Sequence, residues 1–137
     1  MDHNLNKSLQ MIMWQATDAG DLDRAASVLA PDLIATMPGA PGPMDLAGFR
    51  AAVAMFLASF SDAEHKVLTQ LSEGDLVAGR LYWSGRHTGD FNGIPATGHR
   101  VGFDAQATSR VRDGKIVEHH VQFDLAGFIG QLTAKAA

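Results

Sequence analysis

The stretch Val117–Asp124, VEHHVQFD, places two adjacent histidines among alternating apolar and polar residues. Imidazole titrates nearer neutrality than any other unperturbed side chain, so it is the first residue type to consider for proton transfer. Neighbours in a β-strand point to opposite faces. Only one of the two histidines can therefore face the interior. The odd positions are Val117, His119, Val121 and Phe123; the even ones, Glu118, His120, Gln122 and Asp124, are all polar. In the preceding strand-like run the odd positions Phe103, Ala105, Ala107 and Ser109 are mostly small and apolar, and the even positions Asp104, Gln106, Thr108 and Arg110 are polar. Period-two alternation puts His119 inside and His120 on the polar face. His119 then has two readings: a packed histidine with one hydrogen bond, or a catalytic acid/base whose pKa near neutrality suits it to the task. No carboxylate is expected on its face to orient it. Small residues beside it leave room for either a close-packed helix or a cavity. Trp14, Met37, Trp83 and Phe123 are candidates to line such a cavity, and each is also an ordinary core residue.

Other chemistries are disfavoured. The chain has no cysteine, which excludes a disulfide framework and thiolate ligands. Adjacent histidines on a strand diverge and do not chelate one ion, and His3, His65, His87 and His99 fall near predicted ends or loops, so no metal site is expected. No phosphate-cradling loop precedes a helix, and no nucleophile elbow is present. The net charge of −4, with no basic block, argues against nucleic acid and anionic membrane as partners. No apolar run approaches the ~20 residues of a spanning helix, and the N-terminal residues do not read as a signal peptide. The expectation is a cytoplasmic protein.

The elements that must position these residues come in two blocks. Leu5, Leu9, Ile12, Met13 and Ala16 recur at helical spacing beside Trp14, and Gly20 closes that helix. Asp21 is placed to cap a second helix through Leu29, stopped at Ala30-Pro31. Asp32–Met37 reads as a short strand and Pro38–Met44 as a loop. Asp45 is placed to cap a third helix with Phe49, Val53, Phe56, Leu57 and Phe60 as its buried stripe. The second half reads as sheet: a strand from His65 turning at Gly74-Asp75, a strand with Val77, Leu81 and Trp83 on one parity, a long turn over Gly89–His99, and a hairpin at Asp113-Gly114. Gly79, Gly85 and Gly102 mark expected bends or bulges. Residues 126–137 read as a short C-terminal helix or a tail. Apolar residues make up 46% of the 137, enough for one core and one domain, 1–137. Helices followed by antiparallel strands indicate an α+β fold.

Three stretches together resemble SnoaL-like proteins: GDLDRAASVLAPDL (Gly20–Leu33), GRHTGDFNGIPATGHRV (Gly85–Val101) and SRVRDGKIVEHHVQFDLAGFIGQL (Ser109–Leu132). The resemblance implies a cone-shaped α+β barrel of the nuclear-transport-factor-like type, with N-terminal helices packed into a curved, mainly antiparallel sheet. It also implies a pocket between sheet and helices and a homodimer packed through the sheet. Members of that family include polyketide cyclases, which close a ring by intramolecular aldol condensation without metal or cofactor. Orientation and one positioned base suffice for such a reaction. Glu118-His119 matches the family's Glu-His pair; the aromatic residue and catalytic aspartate that follow in the cyclases are here His120 and Val121. Ala107 and the run Ala35-Thr36-Met37 replace further polar pocket positions. Asp124 matches a frequent family aspartate and is placed to order the turn into the last helix.

Two functions follow. One is a cyclase- or isomerase-like enzyme with His119 as catalytic residue and no cofactor. The other is a binding protein that holds a small hydrophobic molecule against Trp14, Met37, Trp83, Ala107, Val121 and Phe123, the cyclase acid having been lost at Val121.

Overall fold

Residues 3–134 are described by the computed structural model. Four helices, α1 (His3–Asp18), α2 (Leu22–Ser27), α3 (Leu46–Ser59) and α4 (Leu125–Thr133), pack against five strands: β1 (Leu29–Thr36), β2 (Phe60–Glu73), β3 (Leu76–His87), β4 (Arg100–Arg112) and β5 (Lys115–Phe123). The sheet runs β1-β5-β4-β3-β2. β1 lies parallel to β5, and the other pairs are antiparallel. This is the expected α+β architecture, with a mixed sheet that stays open between its edge strands β1 and β2.

Local chemistry sets most boundaries as the sequence predicts. Asp21, Asp45 and Asp124 each accept a hydrogen bond from the backbone N–H three residues on, capping α2, α3 and α4. Gly20 sits at φ 77° after α1, and Asp113-Gly114 turn at φ 54° and 74°. Two boundaries differ. The second helix stops at Ser27, and the strand after it begins at Leu29, running through Pro31; an edge strand tolerates a proline because one side of its ladder is unpaired. β2 begins at Phe60, five residues before His65, so His65 is a mid-strand residue and not a strand end.

Alternation in the central strands holds. Val77, Leu81 and Trp83 in β3 and Ala105, Ala107 and Ser109 in β4 are buried under the helices. The glycines are not bulges: β3 pairs β4 without a break from Leu76 to Arg86. Gly79 is a close approach, because a Cβ there would lie 3.0 Å from Gln10 Oε1 and 3.1 Å from the Trp14 ring. The β2–β3 register slips twice, between Ser61 and Glu64 and between Val67 and Thr69, while β5 shifts once against β1 (between Leu29 and Ile34) and once against β4 (between Arg110 and Val111). Phe60, Phe91 and Phe128, each almost wholly buried, close one end of the core with Trp83 and Phe103.

Candidate active site

A cleft of about 100 Å³ opens between the sheet and helices α1 and α3. Its walls are mostly apolar. α1 contributes Met13 and Trp14, α3 contributes Phe49, Val53, Phe56 and Leu57, and the inner sheet face adds Leu81, Trp83, Phe103, Ala105, Val121 and Phe123. Phe49 is buried, whereas Val53, Phe56 and Leu57 are only half-buried because they face this space. Of the residues singled out by sequence, His119, Trp14, Met37, Trp83, Val121 and Phe123 line the cleft. Ala107 does not. It pairs with Gly79 and Val121 in the sheet, in the row over which Gln10 and Trp14 of α1 are seated, so its small side chain admits a helix.

His119 is inward and 1% exposed, edge-on to Phe49 (5.6 Å between ring centroids) and to Trp14 (6.4 Å). Its Nδ1 lies 2.9 Å from Ser109 Oγ. Burial, assisted by the nearby His120 and His65, pushes its pKa down to about 3. The pKa near neutrality expected for a catalytic His119 is therefore corrected: burial disfavours the charged form, so the ring is neutral at pH 7.

The ring's tautomer follows from a chain of amides anchored on backbone carbonyls. Gln70 Nε2 donates to the Lys7 carbonyl (3.0 Å) and to Gln10 Oε1 (3.0 Å). Gln10 Nε2 donates in turn to the Val77 carbonyl (3.4 Å) and to Ser109 Oγ (2.9 Å). A carbonyl only accepts, so both amide orientations are fixed. Ser109 is buried and Gln10 donates to its oxygen; among the described residues His119 Nδ1 is the acceptor within reach of its hydroxyl hydrogen, so the hydroxyl donates to Nδ1. The ring hydrogen of His119 then sits on Nε2.

Sequence reasoning missed a second histidine. His65 lines the same cleft, stacked on Trp14 at 6.0 Å with 12° between planes. Asp18, also in the wall, clamps it twice: Oδ1 lies 2.6 Å from His65 Nδ1, and Oδ2 accepts the His65 backbone N–H at 2.8 Å. A carboxylate only accepts, so His65 Nδ1 carries a hydrogen, and in the neutral ring Nε2 carries the lone pair. Among the described residues no carboxylate contacts His119; Asp18, in the wall, serves the histidine of another strand. The signal was weak but present. Asp18 follows Trp14 by four residues on one helix face, and it stands at the helix C-terminus, where the backbone dipole disfavours a negative charge. His65 stands between the two register slips of β2, which leave only the short alternating run Ala63, His65 and Val67 to assign its face.

His120 faces outward, as expected. It lies 2.7 Å from Thr36 Oγ1 and 3.2 Å from Glu118, whose carboxyl is held below its usual range by His120 and by Arg110. Arg110 also forks onto Asp75, and these two carboxylates hold its guanidinium in the charged form. Asp124 is spent on the α4 cap. Among the described residues no cluster of three or more His, Asp or Glu could hold a metal ion, and no helix is long and apolar enough to cross a membrane.

The profile of the SnoaL-like polyketide cyclase family matches residues 7–132, nearly the whole chain. The chain belongs to that family. Among relatives of this SnoaL-like protein is the aklanonic acid methyl ester cyclase DnrD of Streptomyces peucetius, 32% identical over 126 residues that cover 88% of this chain and 85% of DnrD. Among solved structures, IdmH from Streptomyces antibioticus is 31% identical with a TM-score of 0.83, covering 94% of this chain and 99% of its own. TsrD from Streptomyces laurentii is 27% identical with a TM-score of 0.85, covering 98% of this chain and 99% of its own.

Proposed function

We propose that this SnoaL-like protein is a cofactor-independent enzyme that closes or isomerises a ring on an apolar, polyketide-type ketone or ester by proton transfer alone. The observation that carries this reading is an apolar cleft into which three ionisable side chains, Asp18, His65 and His119, are brought from α1, β2 and β5. An apolar wall with few polar groups holds a hydrophobic ligand in one orientation, and the polar groups act on it at chosen atoms. The relatives named for cyclising aklanonic acid methyl ester support this reaction class. In an intramolecular aldol reaction the C–H pair of an activated carbon moves into an enolate. The enolate carbon forms a C–C bond to a second carbonyl, whose π pair becomes an alkoxide, and the abstracted proton is returned there. No atom is lost. The test is turnover of aklanonic acid methyl ester by the purified chain; saturable cyclisation supports the reading, and a cleft that takes up neither this ester nor any fused-ring ketone sinks it.

A second reading is a binding protein for an apolar small molecule. Val121 favours it, because a valine stands where the resemblance places the cyclase acid, and so does the neutral state of His119. It requires saturable ligand binding that His119→Ala barely alters and no turnover. Assembly as a homodimer through the outer sheet face belongs to either reading. Leu76 and Tyr82, exposed on that face, support it, and equilibrium sedimentation tests it.

A further inference from the structure

The two cleft histidines are wired to opposite ends of a proton transfer. His65 donates from Nδ1 to Asp18 and keeps a lone pair at Nε2. His119 accepts at Nδ1 from Ser109 and keeps a hydrogen at Nε2. Among the described residues neither Nε2 has a hydrogen-bond partner, and both residues line the cleft, within 6.4 Å of the Trp14 ring between centroids. A base needs an available lone pair and a group that receives the charge it takes up. An oxyanion needs a donor already in place and unable to lose its orientation.

We infer, building on the acid/base reading above, that the Asp18–His65 pair is the general base of the cleft and that His119 is a fixed Nε2–H donor to the oxyanion. Its substrates are ketones or esters with a C–H activated by a neighbouring carbonyl. His65 Nε2 takes that proton, and the C–H electron pair becomes the C=C of an enolate. The carbonyl oxygen gains the negative charge and accepts a hydrogen bond from His119 Nε2–H. Asp18 fixes the productive tautomer of His65 and lies 2.6 Å from the ring that becomes an imidazolium, whose face meets Trp14 at 6.0 Å. The proton on His65 Nε2 then passes to the alkoxide formed in ring closure, and the base is restored. Two different carriers replace the single carboxylate that the resemblance would have placed at Val121.

The test needs no knowledge of the natural substrate. 2-Tetralone is an apolar fused-ring ketone whose C1–H is activated by both ring and carbonyl. Its binding is measured by fluorescence quenching of the tryptophans, and its C1–H exchange in deuterium oxide by proton NMR. The expected result is saturable, accelerated exchange. His65→Gln and Asp18→Asn should lower the maximal rate by about 10²-fold or more with the dissociation constant changed less than about threefold. Asn at 18 is predicted to offer a donor to Nδ1 and so impose the wrong tautomer. His119→Gln, which keeps an N–H, should retain more rate than His119→Ala. Binding without accelerated exchange overturns the inference, and so does exchange that survives His65→Gln or is equally lost in His119→Gln and His119→Ala. Absence of binding overturns the apolar-ligand reading itself, and with it this inference.

Discussion

His65 and His119 face one cleft and touch one tryptophan, yet they are supported in opposite ways. His65 is held by a carboxylate from the end of α1 and keeps a side-chain exposure of 17%. His119 is buried against Trp14 of α1 and Phe49 of α3, with the Ser109 hydroxyl, itself held by Gln10, at its Nδ1. Burial at the second site disfavours a charged ring. The two identical side chains differ in burial and in what contacts Nδ1, a carboxylate for His65 and a serine hydroxyl for His119. Pairs of titratable groups whose surroundings separate their protonation states are the usual mark of divided acid/base labour.

The largest way to break this comparison is to remove the donor. His119→Ala should lower the rate of ring closure by about 10²–10³-fold, the range for loss of one oxyanion donor, and His119→Gln should recover part of it. Steady-state kinetics on a cyclised ester check this. Equal activity of the wild type and His119→Ala would leave His119 as packing alone.

Acid stability comes next. The folded pKa of His119, about 3, lies below its unfolded value of 6.5. Between those values the unfolded chain binds a proton that the folded chain does not, so acid favours unfolding. The stability contributed by the neutral ring is complete above roughly pH 6.5 and erodes by about 1.4 kcal/mol per pH unit below it, about 2 kcal/mol by pH 5. Urea titrations at pH 7.5 and 5 should show that loss in the wild type and lack it in His119→Gln. His65, already facing Asp18, remains in both proteins and cancels in the difference. Parallel pH dependence in the two would contradict the sealed, neutral ring.

Ser109→Ala sharpens the same point at smaller cost. It leaves Gln10 Nε2 and His119 Nδ1 without their shared partner and should destabilise by about 1–2 kcal/mol. It should also release the tautomer, lowering turnover without changing ligand affinity. His120→Ala is the control on the outer face. His120 touches Thr36 and Glu118 and not the cleft, so turnover should stay within about twofold and stability within about 0.5 kcal/mol.

The contrast also explains what could be read from sequence. β5 and β4 alternate cleanly on the cleft side, so the inward aim of His119 and the outward aim of His120 were legible, as were the caps at Asp21 and Asp45 and the turn at Asp113-Gly114. β2 was not legible. Its two register slips and the left-handed backbone at Asp62 (φ 50°) confine the clean alternation to Ala63, His65 and Val67, a run too short to extend the strand back to Phe60, and that is how a mid-strand cleft residue read as a strand end. The amide chain was hidden for another reason. Gln10 sits three and four residues before Met13 and Trp14 on the buried stripe, but a polar residue on such a stripe names no partner until the sheet is folded against it. Ala107 shows the limit from the other side: a small residue announces space, and only the fold decides that α1 takes it.

The most direct test is histidine-selective nitrogen–proton correlation NMR of the full chain from pH 8 to pH 5, with assignments from His65→Gln and His119→Gln. The account predicts that His119 stays neutral throughout with its proton on Nε2, and that neutral His65 carries its proton on Nδ1. A His119 that charges within this range, or the reverse tautomer at either ring, would contradict the division of roles between them.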